Sequence, residues 1–181
     1  MKCFLKDFLG AAIRDKYTRQ VIGRMDKPII NPTNGEIIAF FVGTNRQLIL
    51  PTVDIQRFAK GDVWVESMEA ICPPSDIVRI AAVIEQHVAI IGNRVTTVSR
   101  QRLGQVIDIE FETNGWIIIK LDVAKKILNI PTERKLIDTR QIVRITKSEI
   151  TVQDASVPAG KRSKQLARGA IAPEPSTCKS K

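Results

Sequence analysis

Apolar residues in this chain come in short, dense runs separated by turn signals. Ile37-Ile38-Ala39-Phe40-Phe41-Val42 is continuous and reads as a strand buried on both faces. In Gly104–Glu112, Ile107, Ile109 and Phe111 alternate with Asp108, Glu110 and Glu112, so one face packs and the other meets water. Ala11–Ile13, Val21–Gly23, Gln47–Leu50, Val63–Val65, Trp116–Leu121, Leu136-Ile137, Ile142–Ile145 and Ile150–Val152 add further short strands. Pro28 and Pro32 confine their segment to an edge or a loop. Helix is sparse. Val53–Phe58 predicts a short turn. In Val123–Leu128 the spacing of Val123 and Ile127 is helical, with Lys125 and Lys126 turned away and Pro131 as the stop. Many short strands with frequent turns predict an all-β protein, and closure into barrels would remove the exposed edges of such apolar strands.

Short words recur along the chain. Thr33-Asn34-Gly35 returns 80 residues later as Thr113-Asn114-Gly115, each just before a dense apolar run. Asn-Gly favours a type I′ hairpin turn, which needs positive φ at both central residues. Gly23 is answered by Gly104, an offset of 81, and Leu9-Gly10 by Ile91-Gly92, an offset of 82. Ile77-Val78-Arg79-Ile80 is answered by Ile142-Val143-Arg144-Ile145, an offset of 65. Four landmarks in one order predict a duplicated module with a loop of different length in each copy. The expected division is a lead-in at 1–8, modules at 9–84 and 85–155, and a tail at 156–181. Phe4, Leu5 and Phe8 in the lead-in predict a short amphipathic turn covering one end of the first module.

These landmarks resemble the PRC-barrel, the small β-barrel of the photosynthetic reaction-centre H subunit's cytoplasmic part and of the RimM C-terminus. The resemblance spans roughly Leu9 to Asp154 and includes Leu48-Ile49-Leu50-Pro51 leading into Val53-Asp54-Ile55. It implies two tandem PRC-like β-barrels with short helical turns. It also implies a stable adaptor role in assembly, RNA maturation or, in archaeal members, cell division, and no single activity. No RimM-type N-terminal domain precedes the two copies.

Charge changes the picture at the C-terminus. Lys161, Arg162, Lys164, Arg168, Lys179 and Lys181 face only Glu174, so the tail holds +5 of the net +9. Its breakers and low hydrophobicity predict disorder. Arg94, Arg100 and Arg102 add a basic stretch to the second module. With Lys161, Arg162, Lys164 and Arg168 they are the candidate phosphate contacts. Aromatic content is 5%, so no base-stacking platform is evident and RNA binding would be backbone-directed. A purely solubilising tail is the plain alternative. Trp64 is the candidate protein contact, with barrel filling as its competing role.

No catalytic, cofactor-binding or metal-ligating set emerges. His87 is the single histidine, beside the apolar Val88–Ile91. Asp108, Glu110 and Glu112 could attract a divalent cation, but the favoured reading is a solvated strand face that guards against mispairing. Cys3, Cys72 and Cys178 form no C-x-x-C pair, which argues against zinc and for a reducing cytoplasm, with Cys72 in or beside a packed strand. No apolar run approaches the roughly 20 residues needed to span a bilayer. The expectation is a non-enzymatic cytoplasmic binding or assembly adaptor. It has a protein partner, possible self-association and no cofactor. An RNA-associated factor in ribosome maturation is the alternative.

Overall fold

The computed structural model describes residues 1–59, 61–127 and 130–154. The tail 156–181, with Lys161, Arg162, Lys164, Arg168 and Cys178, lies outside them.

The protein is all-β. Strands β1 (Lys2–Phe4), β2 (Ala12–Asp15), β3 (Val21–Asn31), β4 (Glu36–Val42), β5 (Leu48–Pro51), β6 (Ile55–Ala59) and β7 (Asp62–Val65) lead to the helix α1 (Val78–Glu85). Then follow β8 (Arg94–Thr97), β9 (Arg102–Glu112), β10 (Ile117–Ile127), β11 (Ile130–Asp138), β12 (Ile142–Ile145) and β13 (Glu149–Val152). The main pairing path runs β12-β13-β8-β9-β10-β4-β3-β2-β7-β6, and β12 and β6 stand at its open ends. Among the described residues, no ring of strands closes in this pairing.

The two halves use one pairing scheme. β2 pairs antiparallel with β3 and parallel with β7, as β8 does with β9 and β13. β4 lies between β3 and β5, as β10 lies between β9 and β11. Corresponding residues match one to one. Ile30 opposes Ile37 as Phe111 opposes Ile118, and Met25 opposes Val42 as Val106 opposes Val123. Both long hairpins bulge at the same place, skipping Ile38 in one and Ile119 in the other. There the Thr52 hydroxyl meets the Ile37 and Ile38 carbonyls at 3.1 and 3.2 Å, and the Thr139 hydroxyl meets those of Ile118 and Ile119 at 3.2 and 3.3 Å. A hydroxyl so placed satisfies carbonyls that the bulge withdraws from the ladder.

The halves meet where these hairpins turn. Glu36 pairs with Ile117. The Ile37 N–H donates to the Trp116 carbonyl at 2.8 Å, and the Ile118 N–H to the Gly35 carbonyl at 3.0 Å. The two bonds exchange under a local two-fold axis, so each hairpin tip reaches over the other half. One continuous core, including Phe8, Ile13, Phe40, Val63, Val95, Ile109, Phe111, Leu121 and Ile150, fills both halves. Each such large side chain contributes about 1.5–3 kcal/mol on burial.

A second, smaller core lies on the other face of the first half, where Ile80 of α1 packs on Ile29, Ile38, Ala39 and Ile49. That cover is why β4 is apolar on both faces. Cys72 bridges to Ile49 of β5 through reciprocal backbone hydrogen bonds, beside a packed strand as expected.

Several expectations are corrected. Val123–Ile127 is not helical. It continues β10, and Val123 and Ala124 are both buried by strands on either side, so pairing overrides the i, i+4 pattern. Val53–Phe58 is a 3-10 turn at Thr52–Asp54 followed by β6. Ile77–Ile80 is not the counterpart of Ile142–Ile145. The first begins α1 and the second is β12, whose true counterpart is β6. The hairpin tips are four-residue connections rather than two-residue turns. Gly35 (φ +71°) corresponds to Trp116 (φ +56°), so the Thr-Asn-Gly words are out of structural register by one residue. Asp108 is not on a solvated face. It is 6% exposed and accepts the Ile109 N–H at 2.8 Å. The lead-in pairs as β1 with β9 of the second half instead of covering only the first.

Candidate binding site

Trp64 lies half-buried on β7, with the Arg57 guanidinium over its ring at 5.5 Å. Arg94, Arg100 and Arg102 are all exposed. Arg100 and Arg102 line one shallow cavity of about 430 Å³ with Thr96 and Glu149, while Arg94 stands outside it on β8. Asp154, the last residue described before the tail, accepts a 2.6 Å hydrogen bond from the Ser99 hydroxyl beside Arg100. That bond holds its carboxyl below the ordinary range. The last described residue before the tail therefore stands next to Ser99 and Arg100.

His87 is exposed, with φ +51°, and lines an apolar cavity of about 470 Å³ between the lead-in, β3 and the segment after α1. The charged residues that share this cavity are Lys27 and Arg46, both cations. Of the acidic trio, Asp108 opposes Asp122 across β9 and β10, and Asp122 is 3% exposed. Arg134 on β11 forks onto Asp122 through Nε and Nη2. The carboxylate, with Asp108 behind it, raises the guanidinium pKa further. Glu110 pairs with Lys120 at 3.4 Å. Among the described residues, no group of His, Cys, Asp and Glu is arranged to hold a metal ion.

The most informative cavity was not foreseen. It measures about 380 Å³ and lies at the end of the second half beneath the tip Pro32–Gly35. Its floor is Ile90, Ile118, Leu121 and Ile145, and Arg140 and Arg144 stand at its rim. Each floor position has a counterpart in the first half, fixed by strand register and turn hydrogen bonds. Leu121 corresponds to Phe40, and Ile145 to Phe58. Ile90 corresponds to Phe8, because Ala11 N–H bonds to the Phe8 carbonyl as Asn93 N–H bonds to that of Ile90. Gly35 at the tip corresponds to Trp116.

In the first half this same place is filled by rings. Phe8 stacks on Phe58 with centroids 3.9 Å apart and on Phe40 at 6.0 Å. Trp116 reaches over from the other hairpin, edge-on to Phe8 and Phe40 at 5.8 and 5.9 Å, and stacks on Phe111 at 5.6 Å. Such pairs add about 0.5–1.5 kcal/mol each beyond area burial. That packing offsets the roughly 1 kcal/mol cost of holding a non-glycine residue in the left-handed region. The second half replaces three phenylalanines and a tryptophan by two isoleucines, a leucine and a glycine, and the space stays open.

The rim differs as well. Arg57, held over Trp64, corresponds to Arg144, which opposes Thr151 and has no ring beneath it. Val53 corresponds to Arg140, which is paired with Asp138 at 3.3 Å and remains 91% exposed. The signal that marked this site in the sequence was the unequal distribution of aromatics. Five of the six phenylalanines, Phe4, Phe8, Phe40, Phe41 and Phe58, precede residue 60, and Phe111 alone follows.

No protein-family model and no curated protein sequence matches this chain. Among the described residues, no helix is long and apolar enough to cross a membrane.

Proposed function

We propose that this chain is a non-enzymatic binding or assembly adaptor, derived by duplication of a PRC-barrel-like unit and acting in the cytoplasm. The repeated pairing scheme supports the duplication, and six matched strands per half suit a small barrel-like unit. One observation carries the adaptor reading: one half is plugged by its own aromatic residues, and the equivalent end of the other is open. Pockets of a few hundred cubic ångströms with an apolar floor and a few placed polar groups are what recognition sites require. The test is affinity capture from native lysate by the full chain and by a chain ending at residue 155. A partner retained by the shortened chain is the expected result. Loss of every partner with the tail would overturn the reading.

A second reading, an RNA-associated factor in ribosome maturation, is favoured by Arg100 and Arg102 lining one cavity beside Asp154, the last described residue before the cationic tail. There the tail cations, Arg100 and Arg102 would share one patch of phosphate-attracting charge. Ribosomal RNA binding is expected to weaken steeply with salt and to be reduced without residues 156–181. Absence of salt-dependent binding in both chains would remove it.

A further inference from the structure

We infer that the open cavity of the second half is a receptor for an aromatic side chain flanked by acidic residues on a partner protein. This rests on the adaptor reading for the partner being a protein; the ligand chemistry is argued from the cavity itself. The molecule contains its own precedent. In the first half, the same backbone cradle receives Trp116 from a segment outside that half, lying against Phe8 and Phe40. In the second half, the visiting residue is Gly35, which carries no side chain, and a cavity of about 380 Å³ remains below it. A site whose twin is satisfied by an indole is shaped for a ring.

The charge of the occupant follows from the rim. Val53 has become Arg140, and Arg144 lacks the ring that holds Arg57. Arg140 and Arg144 both line the cavity, Arg140 with Asp138 as its partner at 3.3 Å, and among the described residues no Asp or Glu lines it. Arginine recognises carboxylates through paired donors. The chain's own tail is a poor occupant, because residues 156–181 contain no aromatic residue and are cationic. On a second copy, Tyr17 is 70% exposed, but Lys16 covers its ring at 5.4 Å and its hydroxyl donates to Glu66 at 3.1 Å. It would also bring Lys16 and Arg19 with it to a cationic rim.

The probe is N-acetyl-tryptophan, titrated into the full-length protein while backbone amide resonances are followed. Saturable shifts at Gly35, Ile118 and Ile142 are expected. The neutral N-acetyl-tryptophanamide should bind about threefold more weakly, the worth of an exposed ion pair. Gly35→Trp, which copies the twin, should abolish the shifts; Ile145→Phe, which copies Phe58, does the same should the first variant fail to fold. Trp116→Gly should open a second site, with new shifts near Phe8. No saturable shift at millimolar probe, or shifts unchanged in the filled variants, would overturn the inference. So would concentration-dependent dimerisation that Tyr17→Ala abolishes. Lysate capture that survives Gly35→Trp would leave the adaptor reading standing while this site falls.

Discussion

The two halves share strand order, bulges and hydroxyl-bridged carbonyls, yet one is packed at its end by rings and the other is not. The first half also has α1 closing its outer face, where Ile80 sits on Ile38 and Ile49. The corresponding face of the second half carries the Glu110–Lys120 pair and the Asp122–Arg134 fork. A single backbone scheme thus tolerates two fillings. The difference teaches that pairing is set by the hairpins and their bulges, while filling is free to diverge once the ladder is complete.

Changes at matched positions test this contrast. Phe8 is fully buried among four rings, so Phe8→Ala should cost about 4 kcal/mol in urea unfolding. Its counterpart Ile90 borders the open cavity, and Ile90→Ala should cost about half as much, since no new sealed void forms. Equal losses would refute the difference in packing.

The matched glycines come next. Gly104 has φ +137°, and an added Cβ would stand 2.2 Å from the Ala124 carbonyl oxygen. Gly104→Ala should therefore cost about 3 kcal/mol or more, because strand backbone must move. At Gly23 the nearest atom to such a Cβ is Val42 Cγ1 at 2.7 Å, the end of a side chain that can rotate. Gly23→Ala should cost about 1 kcal/mol by the same measurement.

Helix α1 gives the third comparison. The Ala81 N–H bonds to the Ile77 carbonyl at 3.0 Å, so Ala81→Pro should cost about 3 kcal/mol and uncover the smaller core. Val78 is the first helical residue, is 82% exposed and follows an extended Ile77. Val78→Pro should change stability by less than about 0.5 kcal/mol. The second half should retain its amide protection in both variants.

The smallest effect is a pH difference between matched turns. Asp15 accepts the Tyr17 and Thr18 N–H groups at 2.8 Å each, and these bonds, that of Thr18 foremost, hold its carboxyl below the ordinary range. A depressed folded-state value means stability present above the unfolded pKa and lost as pH falls through the folded one. The counterpart Thr97 accepts the Gln101 N–H with a hydroxyl, and the carboxylate beside that turn, Asp154, meets it at Ser99 and Thr97 and not at the Gln101 N–H. Acid should therefore speed amide exchange, after correction for intrinsic rates, at Tyr17 and Thr18 before Gln101. Simultaneous loosening would contradict it.

The chain's β-rich character, the buried β4, the existence of β9 and the positions of Gly23 and Gly104 were legible in the order of residues, because strand patterning and turn chemistry are local. The alternation over 107–112 did not foresee the burial of Asp108. Equivalent words misled where neighbours decided. Ile-Val-Arg-Ile opens a helix at 77–80, between Pro73-Pro74 and the pair Ala81-Ala82, and forms β12 at 142–145, where β13 supplies partners. Val123 and Ile127 fit a helix until β9 and β11 claim the backbone of Val123 and β11 that of Ile127. The cavity left only an indirect trace, the crowding of phenylalanines before residue 60, since its shape exists only by comparison of Phe8, Phe40, Phe58 and Trp116 with residues scattered from 35 to 145.

Sequence alone decided that this protein would be made of short strands and would recur within itself, because apolar spacing and turn residues act over a few positions. Only the tertiary structure decided where the halves join and which of them is filled. Those outcomes depend on side chains brought together across more than a hundred residues, from Phe8 to Trp116.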